Sequence, residues 1–364
     1  MANNPKHVFS ALLACVAMLV ATSCSTTKGV PEGDQLYVGL TKIKYSNYED
    51  NSHFSSTQEE MEAALDCAPN GAFMGSSYYR TPFPISLWVW NAFSESTSGA
   101  GKWISKTFGK PPVLMSWVNP ALRASVAQNT LKNNGYFQGR VKYEVLTQKN
   151  PKKAKIGYSV SVGPLYTLDS VAYLKFPPEI TQLIASRASI SKLQKGSPFS
   201  VSSLDTERNR ISNLLRDNGY YYYQPGYSSF LADTIQVPQK LQLKMLPTAT
   251  MPETAKRRWY VGKIDFYLRK QMGETLTDSV KRKRLTVYYN GKRSPIRSRI
   301  LMRNILLRPE HMYRYRDENL TSTKLMDMGL FSMTDFKFTP RDTTSLSDTL
   351  DLSITGLLDK PYDF

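Results

Sequence analysis

The stretch "NPALRASVAQNTLKNNGYFQGRVKYEV" (119–145) decides how the chain is read. Leu122, Val126 and Leu131 recur near helical spacing, and Asn119-Pro120 supplies a helix start. Gly135 then suits the left-handed position that follows a helix, because glycine has no Cβ to clash. Beyond it "YFQGRVKYEV" reads as a strand with Val141, Tyr143 and Val145 on one face. After the polar turn "TQKNPKK", "AKIGYSVSV" (154–162) alternates through Ile156, Tyr158, Val160 and Val162. The order is helix, glycine, strand, turn, strand.

The same order returns twice. "SVSSLDTERNRISNLLRDNG" (200–219) is helical, with Leu204, Ile211, Leu214 and Leu215 apolar and Ser200 or Ser202 as cap. Gly219 ends it, and "YYYYQPGYSSFLA" follows as a strand carrying Tyr221 and Tyr223, interrupted at Pro225. "QKLQLKML" (239–246) is its partner. In the third copy "LTSTKLMDMG" ends at Gly329 and leads to "LFSMTDFKFTP" and "DTLDLSITG". Three matching strands, "LTKIKY" (40–45), "LDSVAY" (168–173) and "VGKIDF" (261–266), open the units. A first helix follows each, clearest in "PPEITQLIASRA" (177–188). Each unit therefore reads β-α-α-β-β, an α+β layer of three strands in a mixed sheet with two helices on one face.

The N-terminus reads as an export leader. "VFSALLACVAMLVA" (8–21) is an apolar run of 14 residues, too short for a span of about 20 and suited to a signal peptide core. "ATSC" (21–24) resembles a bacterial lipobox, which makes residues 1–23 the leader and Cys24 the lipidated residue; the alternative is an ordinary export signal. Cys15 leaves with the leader, so Cys67 stands alone, without an intrachain disulfide, as a small apolar residue. A net charge of +17 on an exported chain attracts anionic lipid head groups or an acidic partner rather than nucleic acid. Its densest run, "KRKR" (281–284), stands before the strand-like "LTVYYN" and reads as a solvated basic edge.

No constellation supports an enzyme. "GAGKW" (99–103) lacks the Ser or Thr that a phosphate loop needs after its lysine, and no Cys/His spacing suits zinc. "DTER" (205–208) and "RDEN" (316–319) read as charged helix faces. No cofactor and no metal are expected. Trp88, Trp90, Trp103 and Trp117 crowd an insertion at about 68–118. They either pack it onto the first unit or form an interfacial anchor or docking surface.

The junctions "GYF" and "GYY", "VSVGPLYTLDSVAY" (160–173) and "KGSPFSVSSLDTERNRISNLL" (195–215) resemble the polypeptide-transport-associated (POTRA) domains of the BamA/TamA superfamily. "STTKGVPEGDQLYVGLTKIKY", "APNGAFMG" and "GKPPVL" are similar to its TamA-like lipoprotein branch in Bacteroidetes. The resemblance covers essentially the whole mature chain. It implies a tether at 24–35 and three tandem domains at 36–165, 166–256 and 257–364. Family members continue into a membrane barrel of about sixteen strands, which needs roughly 150 residues or more. The 35 residues after Gly329 complete the third unit, so no barrel is expected within this chain.

The implied role is a periplasmic module, held at the outer membrane through acylated Cys24, for protein assembly or translocation. Its partners would be unfolded outer-membrane protein precursors, or periplasmic or inner-membrane proteins, captured by β-strand augmentation. The candidate edge strands carry Val141, Tyr143 and Val145 in the first unit and Tyr221 and Tyr223 in the second. Gly135, Gly219 and Gly329 are expected to be structural. The alternative is a structural lipoprotein bridging the outer membrane to another complex.

Overall fold

The computed structural model describes residues 26–234, 237–342 and 347–359; the leader and Cys24 lie outside them. The chain forms two compact units, with residues 198–200 grouped with the first.

In the first unit, β4 (Lys153–Ser161) is the sheet's centre. Along one side run β1 (Leu36–Leu40) and then β2 (Lys44–Ser46), both parallel to it. The single opening strand expected over 40–45 is thus split in two. On the other side β3 (Arg140–Thr147) is antiparallel. Helices α1 (Ser52–Leu65) and α5 (Pro120–Asn133) supply Phe54, Met61, Leu65, Ala127 and Leu131 to a core that includes Ile156, Tyr158 and Val160 of β4. The alternation along β4 buries Ala154, Ile156, Tyr158 and Val160 and leaves the intervening residues partly exposed, which is why it reads so regularly in sequence. Between α1 and α5 lies the insertion, with helices α2 (Ile85–Phe93), α3 (Gly99–Phe108) and α4 (Met115–Val118).

The second unit holds two sheets. One runs β5-β7-β6, with β5 (Thr167–Tyr173), β6 (Ser228–Asp233) and β7 (Lys240–Pro247). Helices α6 (Pro178–Ser186) and α7 (Val201–Arg216) contribute Ile180, Ile184, Ile211 and Leu215 to its core. The other sheet runs β11-β12-β8-β10-β9. It contains β8 (Tyr260–Arg269), β9 (Asp278–Arg282), β10 (Leu285–Tyr289), β11 (Phe331–Pro340) and β12 (Thr349–Leu358). Helices α8 (Ser298–Asn304) and α9 (Tyr315–Met326) complete it.

This sheet has two strands more than the repeat predicts. The basic run does form an edge, but as part of an extra hairpin whose inner strand, β10, lies parallel to β8. Leu285 and Val287 alternate into the core, and that is the pattern that recruits it. No helix among the described residues is long and apolar enough to cross a membrane.

Candidate functional site

The turn after α5 is a Schellman motif. Tyr136 N donates to Leu131 O at 2.9 Å and Gly135 N to Lys132 O at 3.2 Å, with Gly135 at φ +89. After α7 the same pair recurs: Tyr220 N to Leu215 O at 3.1 Å, Gly219 N to Arg216 O at 3.4 Å, and φ +94. Tyr136 and Tyr220 drop into their cores, so the tyrosine after glycine is a packing residue. A Cβ on Gly135 would meet Phe199 O at 2.9 Å, so the site needs both the conformation and the space. Gly329 (φ +63) also follows its helix.

The three copies diverge immediately after the glycine. Strand β11 begins two residues past Gly329 and β3 five residues past Gly135, whereas β6 begins nine past Gly219. Tyr221 and Tyr223 therefore do not lie on an edge strand. The chain first turns (Tyr223 N to Tyr220 O, 3.0 Å) and then passes through a 3-10 turn at Pro225–Tyr227. Tyr223 is buried in the second core, and Tyr221 packs on Tyr313 and Phe338, with ring centroids 4.9 and 5.0 Å away.

In the first unit the expected strand is in place. Val141, Tyr143 and Val145 oppose Val160, Tyr158 and Ile156 of β4. Val141 is 9% exposed, but Tyr143 rises to 46% and Val145 to 37%, because the row emerges from under the helices. Tyr158, opposite Tyr143, is buried, and that burial pushes its phenol up to about 12. The register fixes which backbone groups of β3 face outward. Gln148 N donates to Lys153 O at 2.8 Å, which makes 148/153 a hydrogen-bonded pair. By alternation 146/155, 144/157 and 142/159 are also bonded, and residues 141, 143, 145 and 147 direct N–H and C=O away from β4. Val141 N confirms the parity, since it is taken by the Gln128 side chain at 3.3 Å. Tyr143, Val145 and Thr147 thus present outward backbone groups beside exposed apolar side chains.

The opposite edge is closed by the insertion. Tyr37 N donates to Val113 O and Met115 N to Gln35 O, each at 2.8 Å, and Leu40 N donates to Ser77 O at 2.9 Å. Gly39 (φ +116) admits that last approach, since a Cβ there would stand 2.6 Å from Ser77 O. Leu87 of α2 packs in a cluster with Leu36, Val38 and Leu114. Packing accounts for part of the tryptophan content: Trp88 and Trp90 are half-buried, but Trp103 and Trp117 are 62% and 64% exposed. The sequence contains no signal that the insertion would cover β1.

Residues with reactive side chains serve structural purposes. Burial pushes the Cys67 thiol up, and its backbone carbonyl accepts from Tyr37. His53 Nε2 bonds Asn134 O at 2.8 Å. Glycines 99 and 101 of "GAGKW" start α3 beneath the Ser98 cap. Among the described residues no His, Cys, Asp and Glu group could hold a metal ion.

No protein-family model and no curated protein matches the chain. Among solved structures it is similar to POTRA3-5 of BamA from Haemophilus influenzae, at 15% identity over 90% of this chain and 99% of that one, with a TM-score of 0.40. POTRA1-3 of the periplasmic domain of Omp85 from Anabaena gives 11% identity, 91% and 98% coverage, and a TM-score of 0.25. The N-terminal domain of Omp85 from Thermosynechococcus elongatus gives 10%, 91% and 100%, with 0.25. At such identities and scores the fold rests on this chain's own topology.

Proposed function

We propose that the chain is a periplasmic module of an outer-membrane protein assembly or translocation factor, tethered through acylated Cys24, that captures extended segments of barrel precursors on β3. The observation that carries this reading is the pairing of an open edge with a closed one. Tyr143, Val145 and Thr147 turn unpaired backbone groups outward, while the insertion occupies the β1 side. A visiting strand gains main-chain hydrogen bonds from these residues, and alternate side chains settle against Tyr143 and Val145.

The test replaces Val145 with proline, which deletes an outward N–H but no bond to β4. Capture of an unfolded precursor, read by a photo-crosslinker at Lys142, should fall about threefold to tenfold with the fold intact. Undiminished capture by a folded Val145→Pro chain would refute the assignment. The second reading, a lipoprotein bridging the outer membrane to another complex, draws on the exposed Trp103 and Trp117. It predicts that Trp103→Ser and Trp117→Ser abolish partner binding while Val145→Pro leaves it unchanged.

A further inference from the structure

From Lys281 to Arg308 the chain carries ten cations (Lys281, Arg282, Lys283, Arg284, Lys292, Arg293, Arg297, Arg299, Arg303, Arg308) and not one acidic residue. They supply ten of the formal net +17. All but Arg284 are exposed. None of the ten joins an ion pair among the described residues, although nine such pairs form elsewhere. A merely solvated charged surface interleaves both signs. Here the protein holds like charges together without internal neutralisation, an arrangement that costs stability through self-repulsion.

The cations share one scaffold. Helix α8 packs on β9 and β10. The Arg284 guanidinium ties hairpin to helix by donating to Met302 O at 3.0 Å, Ile305 O at 2.9 Å and Leu307 O at 3.3 Å. Burial, and then the neighbouring Arg308, lower its proton affinity. Arg299 and Arg303 lie one turn apart on α8, and Ile300 beside them is exposed. Beside the hairpin tip an open cleft of about 790 Å³ is bordered by Lys281, Lys283, Arg284 and Arg308. Two carboxylates also border it: Asp265, which pairs with Lys263 at 3.4 Å, and Glu310.

We propose that the β9–β10 hairpin and α8 form a docking face for an anionic membrane surface. Lipid phosphates meet the arginines and lysines, one headgroup lodges in the cleft, and Ile300 enters the interface. Breadth favours a membrane over an acidic peptide, because the cations spread over a hairpin tip, a turn and a helix rather than along one strand-sized groove. An exposed aliphatic residue beside the helix's arginines has a use at a lipid boundary and none in a purely ionic contact. The inference is independent of strand capture on β3.

The full-length chain is titrated with vesicles of phosphatidylcholine alone and of phosphatidylcholine mixed with phosphatidylglycerol. The ratio of the two affinities isolates the charge contribution from any N-terminal anchor. Arg297→Glu, Arg299→Glu and Arg303→Glu together should lower that ratio at least tenfold, at about fivefold per surface cation. Lys281→Glu with Lys283→Glu should lower it severalfold without touching α8, and salt should weaken the preference in the native chain. A control reversing Lys42, Lys149 and Lys152 should leave it nearly unchanged. Equal loss in the control would reduce the effect to net charge and overturn the proposal. So would a native chain that prefers poly-glutamate to the anionic vesicles. Crosslinking through β3 should persist in every one of these variants.

Discussion

Glu207 lies in α7 with almost no solvent contact, and every one of its acceptor positions is used. Arg210 reaches Oε1 and Oε2 at 2.6 and 2.8 Å, Tyr173 donates to Oε1 at 2.6 Å, and Ser191 donates to Oε2 at 2.8 Å. Burial opposes the charged form, yet the bonds from Arg210, Tyr173 and Ser191 together outweigh it and hold the carboxyl below its ordinary 4.5. Because the folded value is depressed, the stabilisation is fully present above the ordinary value and fades as pH falls through the folded one. Glu207→Gln should therefore cost about 2–4 kcal/mol in urea melts near neutrality. The gap to the native chain should narrow below about pH 4; a gap independent of pH would contradict the assignment. Reading "DTER" as a charged helix face misplaced this residue, which is buried. The signal was available, since Glu207 stands three residues after Leu204 and four before Ile211, within the apolar stripe.

At the scale of the element, parity along β3 separates two kinds of position that look alike in sequence. Glu144→Pro deletes an N–H that bonds β4 and should cost roughly 1–3 kcal/mol in thermal or urea unfolding. Val145→Pro should cost markedly less, and equal costs would disprove the register argument. Alternation made β4, β7 and β12 legible, because one face of each strand is buried and period two survives into the sequence; β3 keeps the alternation although only Val141 of its row is buried. The helices that end at Gly135 and Gly219 were legible for a different reason: the left-handed turn leaves a glycine, and the motif's apolar contact leaves a tyrosine. What followed Gly219 was not legible. Four tyrosines in a row satisfy a strand preference, but here Tyr220 and Tyr223 fill a core and Tyr221 reaches across to another sheet. Tertiary packing overrode local propensity. The closure of β1 by Ser77 and residues 113–115 had no pattern to reveal it, since it rests on three backbone bonds between distant segments.

Over the whole molecule, the four apolar clusters of the described residues distribute into two compact units, because the second and third sheets share a seam. Trp259 N donates to Gly219 O at 2.8 Å, Arg316 N to the Asp217 carboxylate at 2.7 Å, and Tyr221 packs on Tyr313 and Phe338. Those two sheets should unfold in one calorimetric transition. Tyr221→Ala, which removes about 2–4 kcal/mol of seam packing, should split it in two; two transitions already in the native chain would show that the seam does not couple the sheets, and a single shifted transition in the variant would show that Tyr221 is not what couples them. The five tryptophans, finally, divide the molecule's light emission as well as its packing. Trp259 is 1% exposed with its indole N–H bonded to Thr254 O, whereas Trp103 and Trp117 look into water. Emission therefore has a blue component that reports an intact seam and a red, quenchable component that reports the insertion. Whatever comes to cover the insertion should shift the red component alone, so the chain carries its own unlabelled gauge of occupancy at that surface.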